Sequence, residues 1–323
     1  MIRCFVCVLT SLLLISVGCS SFCNYLEAKI TVKVFDEFSK PMDNVNVTIG
    51  FQEPKLREQG IKDVAESGIT GTGGTFTASR KTGTHIAYGA EKLGYYKSYG
   101  EYQFTTSKNG RWQPWNPQFT LVLRKIGNPV PMYACQLRTI TLPALNKSIG
   151  FDLMEYDWIS PYGKGKRADF IFRADGKYYN EYDYDNTLTL TFANKFDGIQ
   201  LVTEDRKFGS QFKLPRTAPE IGYQGKLIRS ESRMPGQPCK SDSKEDNNYI
   251  FRIRSEEKDG NLLRAMYGKI LGDINFGVDK MTHKTSITFI PYLNPDYTRN
   301  LEFAIDKNLF KNLKSLERVG LNG

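Results

Sequence analysis

The residues of this 323-residue chain best suited to chemistry are a few aromatic rings set beside carboxylates. Asp152, Glu155 and Asp157 alternate with Tyr156 and Trp158, and Tyr162 follows closely. Two carboxylates held about 5–9.5 Å apart are what glycoside hydrolysis requires, and flanking aromatic rings would hold a sugar. The same pattern also fits an edge strand with its acids in solvent and its rings in the core. Trp112 and Trp115 stand in the segment Arg111 to Pro117, whose two prolines exclude a regular central strand. Loop tryptophans can form a platform for a glycan or a protein hot spot, or they can cover one end of a core. Trp112, Trp115, Trp158 and Tyr162 are therefore the candidate ligand-binding residues, and no residue is assigned as catalytic.

Other chemistries find less support. Tyr178 to Asn186 alternates tyrosine with Glu181, Asp183 and Asp185, oxygen ligands of the kind calcium uses. It lacks the glycine of an EF-hand turn, and it reads as one strand with an aromatic and an acidic face. His85 and His283 are the two histidines, and neither has a ligand-like neighbour at helical or hairpin spacing. The chain contains no Gly-x-Ser-x-Gly elbow and no phosphate-binding loop. No cofactor or metal is expected. The net charge of +9 is spread thinly over both halves. The densest basic run, Lys164-Gly165-Lys166-Arg167, lies between Asp157 and Asp169 as a solvated turn would, so no nucleic-acid partner is expected.

The elements that would position these residues start after an apparent address. Met1-Ile2-Arg3 precedes an uncharged, mostly apolar stretch over residues 4–18, too short to span a bilayer and suited to an export signal. From Ala28, Ile30, Val32 and Val34 alternate with Lys29, Thr31 and Lys33 as in a half-buried strand. A turn cluster at 39–44 leads to a second strand carrying Val45, Val47 and Ile49. Residues 52–66 read as a polar insertion, and strands are predicted at 75–77, 86–90 and 119–123. Gly127 to Pro131 is punctuated by glycine and prolines and marks a boundary. Beyond it, strands are predicted at 169–173, 187–192, 249–254, 273–278 and 286–292. A terminal helix capped by Asp306 and stopped by Gly320 would place Leu309, Phe310, Leu313 and Leu316 on one face.

Two resemblances add to this reading. Ile15-Ser16-Val17-Gly18-Cys19 resembles the bacterial lipoprotein box, with Ser16 where leucine is usual; the resemblance implies lipid attachment at Cys19 and anchoring to a membrane. The strand, the Pro41 turn, the Val-rich strand, Thr72-Gly73-Gly74-Thr75-Phe76 and Ala90-Glu91-Lys92-Leu93-Gly94-Tyr95 resemble the carboxypeptidase regulatory-like domain. That family implies a transthyretin-like or immunoglobulin-like sandwich with an interaction role and no peptidase activity. The region from residue 146 is similar to C-terminal regions of uncharacterised secreted bacterial proteins.

The sequence thus describes an all-β chain. Its parts are a signal peptide (1–18), a tether (19–27), a sandwich (28–126), a linker (127–145) and a second β-rich domain (146–323) with a short C-terminal helix. The expected role is that of a lipid-anchored, non-catalytic envelope protein that binds a cell-surface protein or glycan or serves a structural purpose. The alternative is an extracytoplasmic glycan hydrolase using acids of the second domain. Once Cys4 and Cys7 leave with the signal and Cys19 is lipidated, Cys23, Cys135 and Cys239 remain, and a Cys135–Cys239 disulfide is possible.

Overall fold

The alternation that opens at Ala28 becomes β1 (Leu26–Asp36), whose Ala28, Ile30, Val32 and Val34 are fully buried. In the computed structural model, the structure describes residues 25–54, 60–136, 138–204, 207–278 and 284–320. The proposed signal, Cys19, Cys23 and His283 lie outside these residues. Among the described residues the chain is all-β, with two single 3-10 turns as its only helical elements. It divides into a smaller unit, residues 25–127 with 207–213, and a larger unit, residues 128–204 with 214–320.

The smaller unit is a β-sandwich. Its strands after β1 are β2 (Asn46–Pro54), β3 (Ile61–Ile69), β4 (Thr75–Thr82), β5 (His85–Glu91), β6 (Ser98–Gln103), β7 (Thr106–Lys108), β8 (Arg111–Gln113) and β9 (Gln118–Leu123). One sheet pairs β1 antiparallel with β4 and parallel with β9 and β8, and β8 carries β7. The other runs β3, β2, β5, β6 and is completed by β17 (Gly209–Ser210), which pairs with β6. Between the sheets lie the apolar residues of β1, Val47, Ile49 and Phe51 of β2, Ile86, Phe104, Leu121 and Leu123. The Gly-Gly motif has a steric reason. Gly74 has φ +67, and a Cβ there would stand 2.6 Å from the Val34 carbonyl and 2.9 Å from the Met42 nitrogen. The described residues of the expected insertion, 52–54 and 60–66, are instead largely strand. β3 pairs along its length with β2 at a sheet edge, and its half-buried positions Val64, Glu66 and Gly68 hold a single apolar side chain, so no apolar alternation marks it.

The larger unit has three sheets. The first orders β13 (Asp157–Trp158), β12 (Ile149–Asp152), β14 (Phe170–Asn180), β15 (Asp183–Thr191), β18 (Lys226–Arg233) and β19 (Lys240–Ser241). The second orders β10 (Tyr133–Ala134), β24 (Pro291–Asn294), β21 (Asn261–Ile270), β20 (Asn247–Lys258) and β16 (Gly198–Thr203), and the third β11 (Thr139–Thr141), β23 (Thr285–Thr288) and β22 (Asn275–Val278). All three contribute to one core, including Phe151, Phe170 and Phe172 from the first, Tyr249, Phe251 and Ile253 from the second, and Ile140 and Ile287 from the third. The opposite face of the second sheet is covered as well: Ile250, Ala265 and Tyr267 pack with Leu301, and Tyr292 with Met132 and Phe303. Burial on both faces explains the apolar density of β20.

Three expectations are corrected here. Residues 127–145 do not form a free linker. The Val130 N–H donates to the Glu302 carbonyl at 2.8 Å and its carbonyl accepts from Ala304 at 2.9 Å, while Met132, Ala134, Ile140 and Leu142 are core residues. Pro129 and Pro131 flank Val130, so they occupy positions beside the residue whose N–H is used. The C-terminal helix is absent from the described residues, which hold only 3-10 turns at Ile305–Lys307 and Ser315–Glu317. The backbone there pairs elsewhere: Leu309 N–H donates to Met132, Gln136 N–H donates to Glu317, and the Asn308 amide bonds both the N–H and the carbonyl of Ala134. A short helix has a costly nucleus, and these long-range bonds outcompete it. Finally, the predicted 286–292 strand is two strands in two sheets, broken where Phe289 turns into the core.

Gly268 of β21 pairs with Phe251 of β20 on one side and Leu293 of β24 on the other. An added Cβ would meet the Phe251 ring at 2.2 Å and the Tyr292 carbonyl oxygen at 2.5 Å. Gly268→Ala is expected to destabilise the chain by about 1–3 kcal/mol, read as a lower urea midpoint, whereas Gly277→Ala, with open space around it, is expected to leave the midpoint within about 0.5 kcal/mol.

Candidate functional site

The acid and aromatic residues nominated between 152 and 162 do come together, in the larger unit, but most of them face inward. Phe151, Tyr156 and Trp158 cluster edge to face at 5.1 Å, with Phe289 also in the group. Trp158 is buried and its indole N–H donates to the Thr141 carbonyl at 3.0 Å, so it is a core residue and not a ligand platform. Tyr162 remains 43% exposed and is the one nominated residue of this unit at the surface.

The carboxylates build the loop that follows. Asp152 Oδ1 accepts from the N–H groups of Met154 and Glu155, closing the turn after β12, and Oδ2 accepts from Lys166 and Arg167 at 2.9 and 3.0 Å. Asp157 accepts from its neighbour Trp158 and from Lys164 at 2.8 and 2.9 Å. The basic run thus wraps around two acids through its backbone, and Lys166 pairs with Glu155. Burial works against the charge of Asp152, yet the backbone donors hold its carboxyl below the usual carboxylate range. That is the reverse of what a general acid needs.

Sequence reasoning missed the group that closes this arrangement. Arg254 has φ +52, at a bulge where the pairing of β20 with β21 shifts register. Its guanidinium bonds Asp169 through Nε and Nη2 at 2.7 and 2.8 Å and Asp152 through Nη2 at 2.9 Å. Asp169 also accepts from Leu153 N–H at 2.9 Å. Behind the bulge, Asp197 accepts from Ser255 N–H at 3.0 Å and the Asn194 amide donates to the Ser255 carbonyl at 2.8 Å. Burial pushes the Asp197 carboxyl up. An open depression of about 530 Å³ lies here, lined by Arg167, Lys195, Asp197, Arg254 and Glu257, and Lys195 and Glu257 pair across 2.8 Å. The signal available in the sequence was the pair of arginines, Arg252 and Arg254, in the apolar strand run YIFRIR.

A second buried acid works in the same way. Asp273 accepts from Arg229 at 2.9 Å, from the Tyr249 hydroxyl at 2.5 Å, from the Asn247 amide at 2.8 Å and from the N–H groups of Lys244 and Ile274. The tyrosine-acid run is a hairpin and not one strand: β14 and β15 meet across it, Tyr178 stacks on Tyr184 at 6.1 Å, and the Asn180 side chain accepts from Tyr182 N–H. Cys135 and Cys239 are separate thiols. Cys135 is buried, which pushes it up to about 12, and Cys239 lies 3.3 Å from the Tyr184 hydroxyl. Among the described residues no group of three or more His, Cys, Asp and Glu side chains could hold a metal, and no helix is long and apolar enough to cross a membrane.

In the smaller unit the two nominated tryptophans part company. Trp112 is buried, stacks on Phe104 at 5.7 Å and donates to the Thr82 carbonyl at 2.9 Å, so it too belongs to the core. Trp115 is 37% exposed, with the Arg111 guanidinium 4.8 Å over its ring. The adjoining Asn116 has φ +59 and accepts from the Thr31 hydroxyl at 2.8 Å, which fixes the Trp115 loop against β1.

No family model matches the chain, and no curated protein matches it. Among solved structures, the shaft pilin SpaA from Lactobacillus rhamnosus GG is similar at 10% identity and a TM-score of 0.21, over 81% of this chain and 93% of that one. BcpA, the major pilin subunit of Bacillus cereus, is similar at 8% identity and a TM-score of 0.22, over 85% and 99%.

Removing the cation from the Arg254 cluster leaves two buried acids without their shared partner. Arg254→Ala is expected to cost about 3–5 kcal/mol in urea unfolding at neutral pH. Asp152→Asn is also expected to destabilise at neutral pH. Because the folded carboxyl sits below its ordinary range, its contribution is full at neutral pH and is lost as pH falls through that depressed value. Wild type and Asp152→Asn are therefore expected to converge in stability in acid, which a urea series across pH checks.

Proposed function

We propose that the chain is exported by its residues 1–18, is lipid-anchored through Cys19, and acts at the cell envelope as a non-catalytic protein with a binding or structural role. On this reading the sandwich of residues 28–126 is a carboxypeptidase regulatory-like domain used for interaction. The observation that carries the non-catalytic part is the engagement of the nominated acids. Asp152 and Asp157 accept backbone N–H groups from the turns they organise, and Asp152 is held on Arg254 as well. A carboxylate held that way stabilises a loop; a general acid needs a proton to give and a raised affinity for it. The anchoring part rests on the apolar leader and on Gly18 before Cys19. Of the nominated aromatic residues of the larger unit, Tyr162 is the one at the surface and the one offered to a glycan or protein partner.

Two experiments test the reading. Cells expressing the chain are fed a palmitate analogue: label in the wild type and none in Cys19→Ala is expected, and equal label in both contradicts anchoring. The purified mature protein is then incubated with a panel of polysaccharides. Binding without released sugar, weakened severalfold in Tyr162→Ala, is expected. Turnover abolished by Asp152→Asn or Asp157→Asn would replace this reading with glycan hydrolysis.

A further inference from the structure

The outward face of the sheet that contains β1 is basic. Along β1 the buried apolar residues alternate with Glu27, Lys29, Thr31 and Lys33, which point the other way; Glu27 is exposed, Lys29 and Lys33 are half-buried, and Thr31 is covered by the Asn116 loop. The pairing register sets Lys81 of β4 and Arg111 of β8 beside Glu27, and Ser79 beside Lys29. It sets Thr75 and Thr120 beside Lys33, and Lys108 of β7 opposite Arg111. Lys81, Lys108 and Arg111 are exposed. The acid sharing this face, Glu27, lies 3.5 Å from Arg111. Trp115 stands at its margin beneath the Arg111 guanidinium, tied in by the Asn116–Thr31 bond.

The first described strand, β1, lies in this sheet. The Glu27 N–H donates to the Gly110 carbonyl at 3.2 Å, so β1 begins against the β7–β8 hairpin. From Cys19 to Tyr25 there are six peptide steps, a reach of at most about 21 Å. A lipid on Cys19 would hold this end of the sandwich within that distance of headgroups.

We infer that the β4–β1–β8–β7 face, with Lys29, Lys33, Lys81, Lys108, Arg111 and Trp115, is a docking surface for a bilayer of anionic phospholipid. The inference rests on the anchored reading for its geometry and on charge complementarity for its chemistry. Cations near an anionic surface each add to binding, and the attraction falls off within a Debye length, so a short tether matters. A tryptophan at the margin of a basic surface suits the headgroup level, where its ring is half apolar and its N–H wet. The consequence is orientation: the acyl group sets how far the unit can stray, and the sheet face sets which side lies down.

The test uses the mature chain from Ser20, which keeps every described residue and carries no lipid. It is sedimented with vesicles of phosphatidylcholine alone or mixed with phosphatidylglycerol. Binding to the mixed vesicles only is expected, weaker at raised salt and about fivefold weaker for each of Lys29→Gln, Lys33→Gln and Lys81→Gln. The pair Lys226→Gln and Lys240→Gln, exposed in the larger unit, is expected to leave it unchanged. Brominated lipid is expected to quench tryptophan emission in the wild type and much less in Trp115→Phe, the other two indoles being buried. Equal binding to both vesicles, or equal weakening by both sets of lysine substitutions, would overturn the inference. So would unchanged quenching in Trp115→Phe. The outcome separates from the anchoring question, since failure to sediment while Cys19 labels removes the docking face alone, and sedimentation without Cys19 labelling removes the anchor alone.

Discussion

The larger unit turns on one arginine held in a conformation that arginine rarely adopts. Arg254, at φ +52, breaks the pairing of β20 with β21 and sends its guanidinium to Asp152 and Asp169, which flank the turn and loop between β12 and β14. A positive φ at a non-glycine residue costs about 1–3 kcal/mol and persists where surrounding bonds over-determine it. Here they do. Asp197 and Asn194 take the backbone of the next residue, and two acids take the side chain. The cluster thereby ties the second sheet to the first, and it allows β13 and the basic loop to fold back over Asp152.

Such a tie needs good geometry to offset the cost of taking charges out of water. The bonds of 2.7–2.9 Å around Arg254 and the five donors around Asp273 provide it. These two centres change the functional reading. Acids that looked available for sugar chemistry in the sequence are fold-building acceptors, and the aromatic rings beside them fill the core. The smaller unit joins its sheets through a core of apolar side chains, with Arg80 of β4 reaching Glu53 of β2 and Glu66 of β3 across the gap.

What the sequence disclosed follows from that difference. β1, β2, β5 and β9 were legible because each has one buried and one exposed side, which period-two alternation reports directly. β3 was not, since the half-buried positions of this edge strand are Val64, Glu66 and Gly68, which carry one apolar side chain among them. The terminal helix was misread because a helical spacing of Leu309, Phe310 and Leu313 carries no information about Met132 and Ala134, whose backbones claim that segment. Of the four nominated aromatic residues, Trp112 and Trp158 are in the core and Trp115 and Tyr162 are at the surface. Composition cannot separate those outcomes, because each buried indole finds a carbonyl acceptor far along the chain, at Thr82 and Thr141.

The claim on which this account stands is that Asp152 is a structural carboxylate. Its side-chain carboxyl-carbon (Cγ) resonance, followed by NMR through an acid titration of the folded protein, tests that claim directly. A midpoint below the ordinary carboxylate range is predicted, because the four backbone donors outweigh the opposing effect of burial. A midpoint raised toward neutrality, as an acid poised to protonate a leaving group would show, would contradict it.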